Sequence, residues 1–503
     1  MRQSAAVPKT GNRRQPGHRM LFNSYTFLFV FLPLTAILFF TVARYSHRAA
    51  AASLALASLI FYGWWNPLFV GLLLLSIAFN YVMGQVIDRW RNHSRRPLIA
   101  AITINLCALA YYKYANFFVD TLNALSGSHL ALETILLPLG ISFFTFTQIA
   151  FLVDAQRGQA RERNPWHYLL FVTYFPHLIA GPVLHHAQMM PQFGLASTYR
   201  PDIGNISAGL SIFIIGLFKK IALADHFAGY ANPVFDAAGH GLQPGTAEAW
   251  AGVLAYTLQL YFDFSGYSDM AVGLSRMFNI ALPINFNSPY KATSAIDFWR
   301  RWHMTLSAFL RDYLYVPLGG NRKGATRRYT NLLITMVLGG LWHGANWTFV
   351  LWGALHGLFL VINHGWRNLC ARHCLPRPPG AALLSATLTF VAITLAWIPF
   401  RATSIDAATT LFHAILPLTG DTPMTEAVQL GLRAREVLPS LALGLGIVWL
   451  TPNVAQLFGL LDSESSTRLQ WKFTPRYAMA SGAMLALAIL GLTRESPFLY
   501  FQF

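Results

Sequence analysis

His343 is the residue of this 503-residue chain whose type and surroundings are best suited to chemistry. It lies in the uncharged run from Tyr329 to Trp366 and is flanked by Gly339, Gly340 and Gly344. Glycine lets another helix or a ligand approach the backbone closely. A neutral imidazole can also take a proton from a hydroxyl without carrying a permanent charge into lipid. His343 is therefore the first candidate for a general base, and a histidine that only hydrogen-bonds between helices is the alternative.

A second set of candidates lies between residues 297 and 313. Asp297 and Arg301 have the i, i+4 spacing of a helical ion pair, and His303 shares a face with Trp299 and Ser307 if the segment is one helix. We expect one amphipathic helix here. It either rests at the membrane interface or presents cations to the phosphates of a cytosolic donor, and these cations are Arg300, Arg301 and Arg311.

Motifs of several soluble enzyme classes are absent from the sequence. There is no Gly-x-Ser-x-Gly elbow, Walker loop, dinucleotide fingerprint or His-Glu-x-x-His motif. Cys370, His373 and Cys374 have ligand types at helical spacing, but no fourth ligand is near, so we expect no metal site. His356 and His364 are more typical of helix packing than of catalysis.

The composition requires a membrane to surround these residues. Hydrophobic residues make up 54% of the chain and charged residues only 11%, which excludes an ordinary soluble protein. Lys and Arg number 37 against 20 Asp and Glu, a formal charge of +17. With so few charges in all, this excess indicates loops that face anionic lipid, and no nucleic-acid partner is expected.

Uncharged runs predict the membrane spans, since a helix needs about 20 apolar residues to cross the hydrocarbon. The run from Ala49 to Ile87 has 39 residues and must fold back, with a turn at Gly63 to Pro67. Other runs are short or interrupted by Pro and Gly, which is tolerated at membrane depth only inside protein. The sequence thus predicts an all-α polytopic membrane protein with roughly 11 transmembrane helices plus re-entrant and amphipathic helices.

The distribution of Lys and Arg predicts the orientation. The first loop carries Arg44 and Arg48, and the third loop, Asp88 to Arg96, carries four arginines, so both are expected to be cytoplasmic. Residues 1–19 oppose this because they carry five basic residues and no acid. They lack the features of a secretory signal. We therefore expect translation to begin at Met20, which leaves 17 − 5 = +12. A leader that stays outside despite its charge is the alternative.

Seven segments together resemble the membrane-bound O-acyltransferase family, in its bacterial alginate O-acetylation branch. They follow the order of that branch and extend the resemblance from Met20 to the C-terminus. The expected domains are a basic leader at 1–19, a membrane domain at 20–495 and an aromatic tail at 496–503. The segments are Met20 to Tyr25, Leu137 to Phe146, Ala180 to Pro182, Tyr261 to Asp269, Asp297 to His303, Tyr315 to Asn321 and Leu341 to Ala345.

The resemblance implies acyl transfer from a cytoplasmic thioester, with acetyl-CoA expected as donor substrate and no bound cofactor, through a central tunnel to an acceptor outside. The central histidine of the family falls on His343, and its second polar position falls on His303. Either His303 or Asn346 could orient a reactant or stabilise the oxyanion. The further candidates for the tunnel or for donor binding are Asp269, Arg300, Arg301, Arg311 and Asn346.

The last six residues, Phe498 to Phe503, fit the pattern F-x-Y-x-x-F. This is similar to the tail of the small single-span partner in teichoic acid D-alanylation. The similarity implies that Tyr500 is a temporary acyl acceptor, because a phenol on a short tether can reach a buried histidine. The alternative is an aromatic belt at the membrane interface.

The expected function is that of an exopolysaccharide O-acetyltransferase subunit of the bacterial inner membrane. Its expected partners are extracytoplasmic acetyltransferase proteins and a polysaccharide synthase or secretion complex. Alginate is the expected polymer, followed by cellulose, with D-alanyl-type transfer as another alternative. A transporter or a non-catalytic scaffold is the alternative from another class, but the sequence shows no internal repeat of the kind that many transporters have.

Overall fold

The structure is a computed structural model that describes residues 20–160, 162, 164–179, 181–374, 378–416, 432–461, 469–492 and 498–499. In these residues the chain forms α-helices with short π and 3-10 segments and no β-strand. The predicted all-α class is therefore confirmed. The predictions for residues 1–19 and for Tyr500 lie outside the described residues.

The first half of the described chain contains eleven α-helices. The helices are α1 Leu32–Ala43, α2 His47–Gly63, α3 Leu68–Trp90, α4 Arg96–Leu109, α5 Ala115–Ser126, α6 Ile141–Gln156, α7 Pro165–Thr173, α8 Phe175–Leu178, α9 His186–Phe193, α10 Ile203–Phe218 and α11 Asp225–Gly239. Three π segments adjoin five of them, at Phe27–Phe31 before α1, Ala110–Tyr114 between α4 and α5, and Lys219–Ala224 between α10 and α11.

The second half contributes ten more, with a π segment at Arg311–Tyr315. They are α12 Thr246–Met277, α13 Ala295–Trp299, α14 Met304–Leu310, α15 Gly324–His343, α16 Trp347–Arg372, α17 Ala381–Arg401, α18 Ile405–Ile415, α19 Ala434–Leu450, α20 Val454–Leu457 and α21 Pro475–Gly491.

Five helical stretches in the described residues are long and apolar enough to cross a membrane, and Phe27–Ala43 is a shorter apolar stretch. The predicted total of roughly 11 spans stays a prediction. The turn expected after Gly63 is confirmed, because α2 ends there and α3 begins at Leu68. The five stretches are Leu68–Trp90, Arg96–Ser126, Ile203–Gly239, Trp347–Arg372 and Ala381–Arg401.

Two close helix contacts form the frame around the site. Helix α12 is buried along most of its length and packs on α10 so tightly that a Cβ on Gly273 would lie 2.5 Å from the carbonyl oxygen of Gly209. Helices α15 and α16 make a similar contact, where a Cβ on Gly340 would lie 2.2 Å from the carbonyl oxygen of Phe349. Small residues thus let these backbones touch, as membrane helix pairs commonly do.

The prediction of a single amphipathic helix over residues 297 to 313 is wrong. Helix α13 ends at Trp299, α14 begins at Met304, and His303 between them has a left-handed backbone with φ of 43°. The backbone carbonyl of Asn285 accepts the Met304 amide at 3.0 Å, which draws this part of the chain away from a helix. His303 therefore does not share a helical face with Trp299, although the predicted Asp297–Arg301 ion pair forms at 2.9 Å.

Candidate active site

His343 is the last residue of α15 and is buried in an aromatic pocket. Its ring centre lies 5.1 Å from that of Trp352 on α16 and 5.3 Å from that of Phe400 on α17. Both contacts are edge-to-face, a favourable geometry for aromatic pairs. The glycines that flank His343 in the sequence account for this position, because they allow α16 to pack directly against the end of α15.

His303 is fully buried, and its orientation is set by Asn285. His303 Nδ1 lies 3.0 Å from Asn285 Oδ1, and the same oxygen accepts the Thr305 hydroxyl at 2.9 Å. Because an amide oxygen can only accept, Nδ1 of His303 is the donor and carries the proton. In the neutral ring Nε2 is then the basic nitrogen, which is the form that can accept a proton.

A single indole contacts both histidines. The ring centre of Trp342 lies 5.0 Å from that of His343 and 6.4 Å from that of His303. The structure thus brings His343, at the end of α15, close to His303, which lies between α13 and α14. A buried base with a second polar group beside it is an arrangement suited to acyl transfer, in which one group moves a proton and the other stabilises charge on the carbonyl oxygen.

A cavity of about 530 Å³ is lined by Thr305, which shares Asn285 Oδ1 with His303, and by Arg311. Neither His303 nor His343 is among the residues that line it. The Arg311 side chain is 65% exposed and binds Asp312 through two hydrogen bonds of 2.7 and 2.9 Å. Hydrogen bonding to Asp312 raises the pKa of the Arg311 guanidinium, which stays charged. The lining of the cavity therefore includes a cation.

The remaining predicted donor-site residues lie in ion pairs or on the surface. Asp269 Oδ2 binds Lys219 at 2.7 Å, Arg301 binds Asp297, and Arg300 is exposed. The structure thus places Arg311 at the cavity, and these three residues are not among those that line it.

Asn346 has a structural contact at each end of its amide. Its Oδ1 accepts the Thr348 amide at 3.0 Å and caps α16, and its Nδ2 donates to the Thr403 carbonyl at 3.1 Å. These bonds favour His303 over Asn346 as the group that orients a reactant. His356 also has a packing role as expected, because Trp299 Nε1 donates to its Nδ1 at 3.2 Å.

One cluster of metal-ligand residue types lies away from the histidine pair. Ligand atoms of Asp154, His185 and His186 lie within 4.8 Å of one another. Asp154 Oδ2 already accepts hydrogen bonds from His185 at 2.7 Å and Tyr313 at 2.5 Å. Protein donors therefore satisfy this buried carboxylate, and no step of the chemistry below needs a metal here.

Two residues that touch the site were missed from the sequence. They are Asn285 and Lys113, neither of which the sequence predicted as a site residue. In the structure the Lys113 ammonium reaches the backbone carbonyls of Trp342 and His343. Sequence periodicity does not predict these bonds, because Trp342 and His343 lie 229 and 230 positions after Lys113 in the chain.

The fold is that of a polytopic membrane protein, and its buried histidine pair is a candidate centre for acyl transfer. The sequence pattern of the membrane-bound O-acyltransferase family matches residues 98–398. The chain therefore belongs to this family and is an O-acyltransferase, as the sequence motifs predicted.

Relatives agree with this assignment. The chain is 41% identical over 430 residues to a peptidoglycan O-acetyltransferase of Helicobacter pylori, covering 80% of each chain. It is 38% identical over 519 residues to a probable alginate O-acetylase of Azotobacter vinelandii, covering 96% of this chain and all of the relative. A teichoic acid D-alanyltransferase of Streptococcus thermophilus is 28% identical over 244 residues, 46% of this chain and 58% of that protein.

Proposed function

We propose that this protein moves acetyl groups from cytoplasmic acetyl-CoA across the bacterial inner membrane for O-acetylation of an exopolysaccharide. The observation that carries the proposal is the pair of buried histidines, His343 and His303, in contact with one indole. Thr305, two positions after His303 in the chain, lines a cavity that the cation Arg311 also lines. Relatives named as O-acetyltransferases over most of the chain support acetyl as the group transferred.

His343 acts as the general base in this proposal. Its imidazole takes the proton of the acceptor hydroxyl as the oxygen attacks the thioester carbonyl carbon. The tetrahedral intermediate then expels the CoA sulfur, the carbon–sulfur bond breaks, and the proton held by His343 passes to the thiolate. The products are an acetyl ester and free CoA, and the histidine returns to its neutral form. His303 orients the reactants beside it and stabilises charge on the carbonyl oxygen.

Contacts around the cavity support a cytoplasmic entrance for the donor. Arg157 donates to the backbone carbonyl of Asp312 at 3.4 Å, and the neighbouring Gln156 donates to the Arg91 carbonyl at 2.8 Å. These bonds link the cavity residue Asp312 to the loop of four arginines. A basic loop of this kind faces the cytoplasm under the positive-inside rule. Arg311 is the proposed contact for the phosphates of the donor.

The length of α15 supports transfer across the membrane. This helix starts in a second basic segment, Arg322 to Arg328. It has 20 residues, so His343 at its end lies roughly 30 Å from Gly324, about the thickness of the hydrocarbon. Trp347, which follows closely, donates to Thr121 near the end of the long helical stretch Arg96–Ser126. His343 is therefore proposed to lie towards the outer side, where the acceptor arrives.

Tyr500 is proposed as the first acceptor of the acetyl group. Its phenol would lose a proton to His343 and form an aryl ester, which a nucleophile of an extracytoplasmic partner then cleaves to regenerate the phenol. The residues just before it support this. The Leu499 amide donates to Asp263 at 3.1 Å, and Phe498 contacts Phe264, whose ring also lies 4.8 Å from His303.

Two polymers remain as final acceptors, each favoured by a named relative. Alginate is the first choice because a relative that the chain matches across the relative's whole length is a probable alginate O-acetylase. Peptidoglycan is the second because the Helicobacter pylori relative is named for that polymer. In either case the proposed partners are extracytoplasmic acetyltransferase proteins, together with a polysaccharide synthase or secretion complex for alginate.

The decisive experiment replaces His343 by alanine in cells that depend on this protein. Acetyl esters are measured separately in exopolysaccharide and in peptidoglycan, beside the amount of the protein in the membrane. We expect His343→Ala to lower esterification of one polymer by at least about 100-fold, the range for loss of a general base. His364→Ala on α16 is the control and should leave the esters unchanged, since His364 has no role in the site.

The polymer that loses its esters identifies the final acceptor. Normal esterification by His343→Ala at normal protein level would overturn the mechanism. It would leave a scaffold or transport role as the explanation of the membrane fold.

A further inference from the structure

Lys113 lies at the end of the helix that carries His343. Its Nζ lies 3.2 Å from the backbone carbonyl oxygen of His343 and makes a second, short contact with that of Trp342. It also donates to Ser142 Oγ at 3.2 Å. An ammonium has three donors, and here three protein acceptors meet them. In the described residues no carboxylate forms an ion pair with Lys113, and its Nζ also lies 5.9 Å from the centre of the Trp342 ring.

The end of α15 needs such partners. The last carbonyls of an α-helix have no amide of their own helix to accept from. Gly344 follows with an extended backbone, φ −159°, so α15 does not end in a left-handed cap. Tyr114 supplies one donor, with its hydroxyl 2.9 Å from the Leu341 carbonyl oxygen. Lys113 supplies the donors for the next two carbonyls, and its charge is of the sign that a helix C-terminus favours.

The local backbone places Lys113 and Tyr114 together on this target. They are consecutive residues in the π segment Ala110–Tyr114 within the long helical stretch Arg96–Ser126. Neighbours in a regular α-helix point about 100° apart and do not share a target. Short π segments widen a helix locally and are frequent at functional sites.

We infer that Lys113 is a positioning residue that holds the last turn of α15 and thereby fixes His343 for proton transfer. The inference rests on the proposed function of His343. Lys113 contacts the backbone of His343, so its effect on the reaction is geometric: a displacement of about 1 Å at a reacting group can cost 100-fold in rate.

The test compares four variants in inverted membrane vesicles, with the release of free CoA thiol from acetyl-CoA as the rate. Lys113→Met keeps the approximate length of the side chain and removes its ammonium, and Lys113→Arg keeps a cationic donor. Tyr114→Phe removes the neutral hydrogen bond to the Leu341 carbonyl. Asn105→Ala is the matched control on the same helical stretch, because it removes a buried bond to Asn80 that does not touch α15. Thermal unfolding midpoints in detergent are measured for all four.

Lys113→Met should lower kcat at least about tenfold with KM for acetyl-CoA within twofold, since Arg311, the proposed contact for the phosphates of the donor, is not among the residues that Lys113 contacts. Lys113→Arg should restore most of kcat, and Tyr114→Phe should cost less than Lys113→Met. Asn105→Ala should lower the unfolding midpoint without changing kcat.

Three results would overturn the inference. They are a kcat within twofold of wild type for Lys113→Met, a Lys113→Arg variant as slow as Lys113→Met, or a loss of kcat that follows the unfolding midpoint in every variant. His343→Ala in the same series separates the two proposals. An active His343→Ala refutes the proposed function, whereas an inactive His343→Ala beside a normal Lys113→Met refutes only the role of Lys113.

Discussion

At the scale of single residues, the site depends on side chains that each have two contacts. Trp342 contacts both His343 and His303, and Asn285 Oδ1 accepts from both His303 and Thr305. Such shared contacts favour one geometry, because a rotation of Trp342 or Asn285 would disturb both of its partners. They hold the buried His303 in a left-handed backbone conformation. This conformation is strained in residues other than glycine and recurs at functional sites.

Phe264 has the same double role for the C-terminal tail. Its ring lies 4.8 Å from that of His303 and 6.0 Å from that of Phe498. The buried backbone of Leu499 is bound to Asp263, which itself lies 2.6 Å from the ammonium of Lys220. An aromatic belt in lipid requires none of these bonds, so the contacts favour a tail that serves the site.

Tyr500→Phe tests that role with the loss of one oxygen. We expect polymer acetylation to fall at least about tenfold while the protein level stays normal, because the phenol is the proposed acceptor and the aromatic ring is retained. Acetyl content per unit of membrane protein is the measurement. Tyr477→Phe is the control, since the hydroxyl of Tyr477 donates only to the Gln470 carbonyl in an exposed contact. Normal acetylation by Tyr500→Phe would exclude the relay.

At the scale of helices, the contact between α15 and α16 determines where His343 lies. Three residues separate the end of α15 at His343 from the start of α16 at Trp347, and the two helices pack against each other through glycines. A Cβ on Gly353 would lie 2.3 Å from the Met336 carbonyl oxygen, which no real Cβ contact tolerates. Backbone on both sides of this contact means that no flexible side chain can move aside.

Gly353→Ala should therefore force the two helices apart. We expect a loss of about 1–3 kcal/mol in stability, as for overpacking in a core. Acetyl transfer should also fall, because His343 lies on one of the displaced helices. Gly365→Ala on the same helix meets open space and should be neutral or more stable by up to about 1 kcal/mol, since alanine favours a helix. The unfolding midpoint in detergent and the CoA release rate are the measurements, and equal behaviour of the two variants would contradict this account.

Helix-scale features also show what the sequence can and cannot predict. The turn after Gly63 was predicted because a 39-residue apolar run cannot cross once, and length alone decides that. The break at His303 was missed because its cause is a pair of bonds to Asn285, which no i, i+4 pattern contains. Periodicity reports local structure, whereas these bonds depend on which segments meet.

The same limit applies to the site. His343 was found from the sequence because its signal is local, a histidine among glycines in an uncharged run. Lys113 was not, because a lysine at the end of an apolar run is usually a boundary charge, and only its position beside the Trp342 carbonyl shows otherwise. Family resemblance added the role of His343 but gave no contacts, so the cavity at Arg311 became known from the structure.

At the scale of the whole molecule, the charge distribution and the structure predict the same orientation. The stretch Arg96–Ser126 has 31 residues, so its ends lie about 45 Å apart and on opposite sides of a bilayer. The loop before it is basic, and the basic segment before α15 belongs on the same side, because the far end of α15 meets Thr121 through Trp347. Two basic segments on one side of the membrane satisfy the positive-inside rule.

This orientation can be measured with single cysteines in a variant whose Cys107, Cys370 and Cys374 are replaced by serine. His93→Cys lies in the third loop, Asp88 to Arg96, Thr326→Cys in the basic segment Arg322 to Arg328 and His129→Cys beyond Ser126, and all three positions are exposed. A membrane-impermeant maleimide should label only His129→Cys in intact spheroplasts and all three after permeabilisation. The opposite pattern would place Arg311 and its cavity outside the cell, where acetyl-CoA is absent, and would require a different donor.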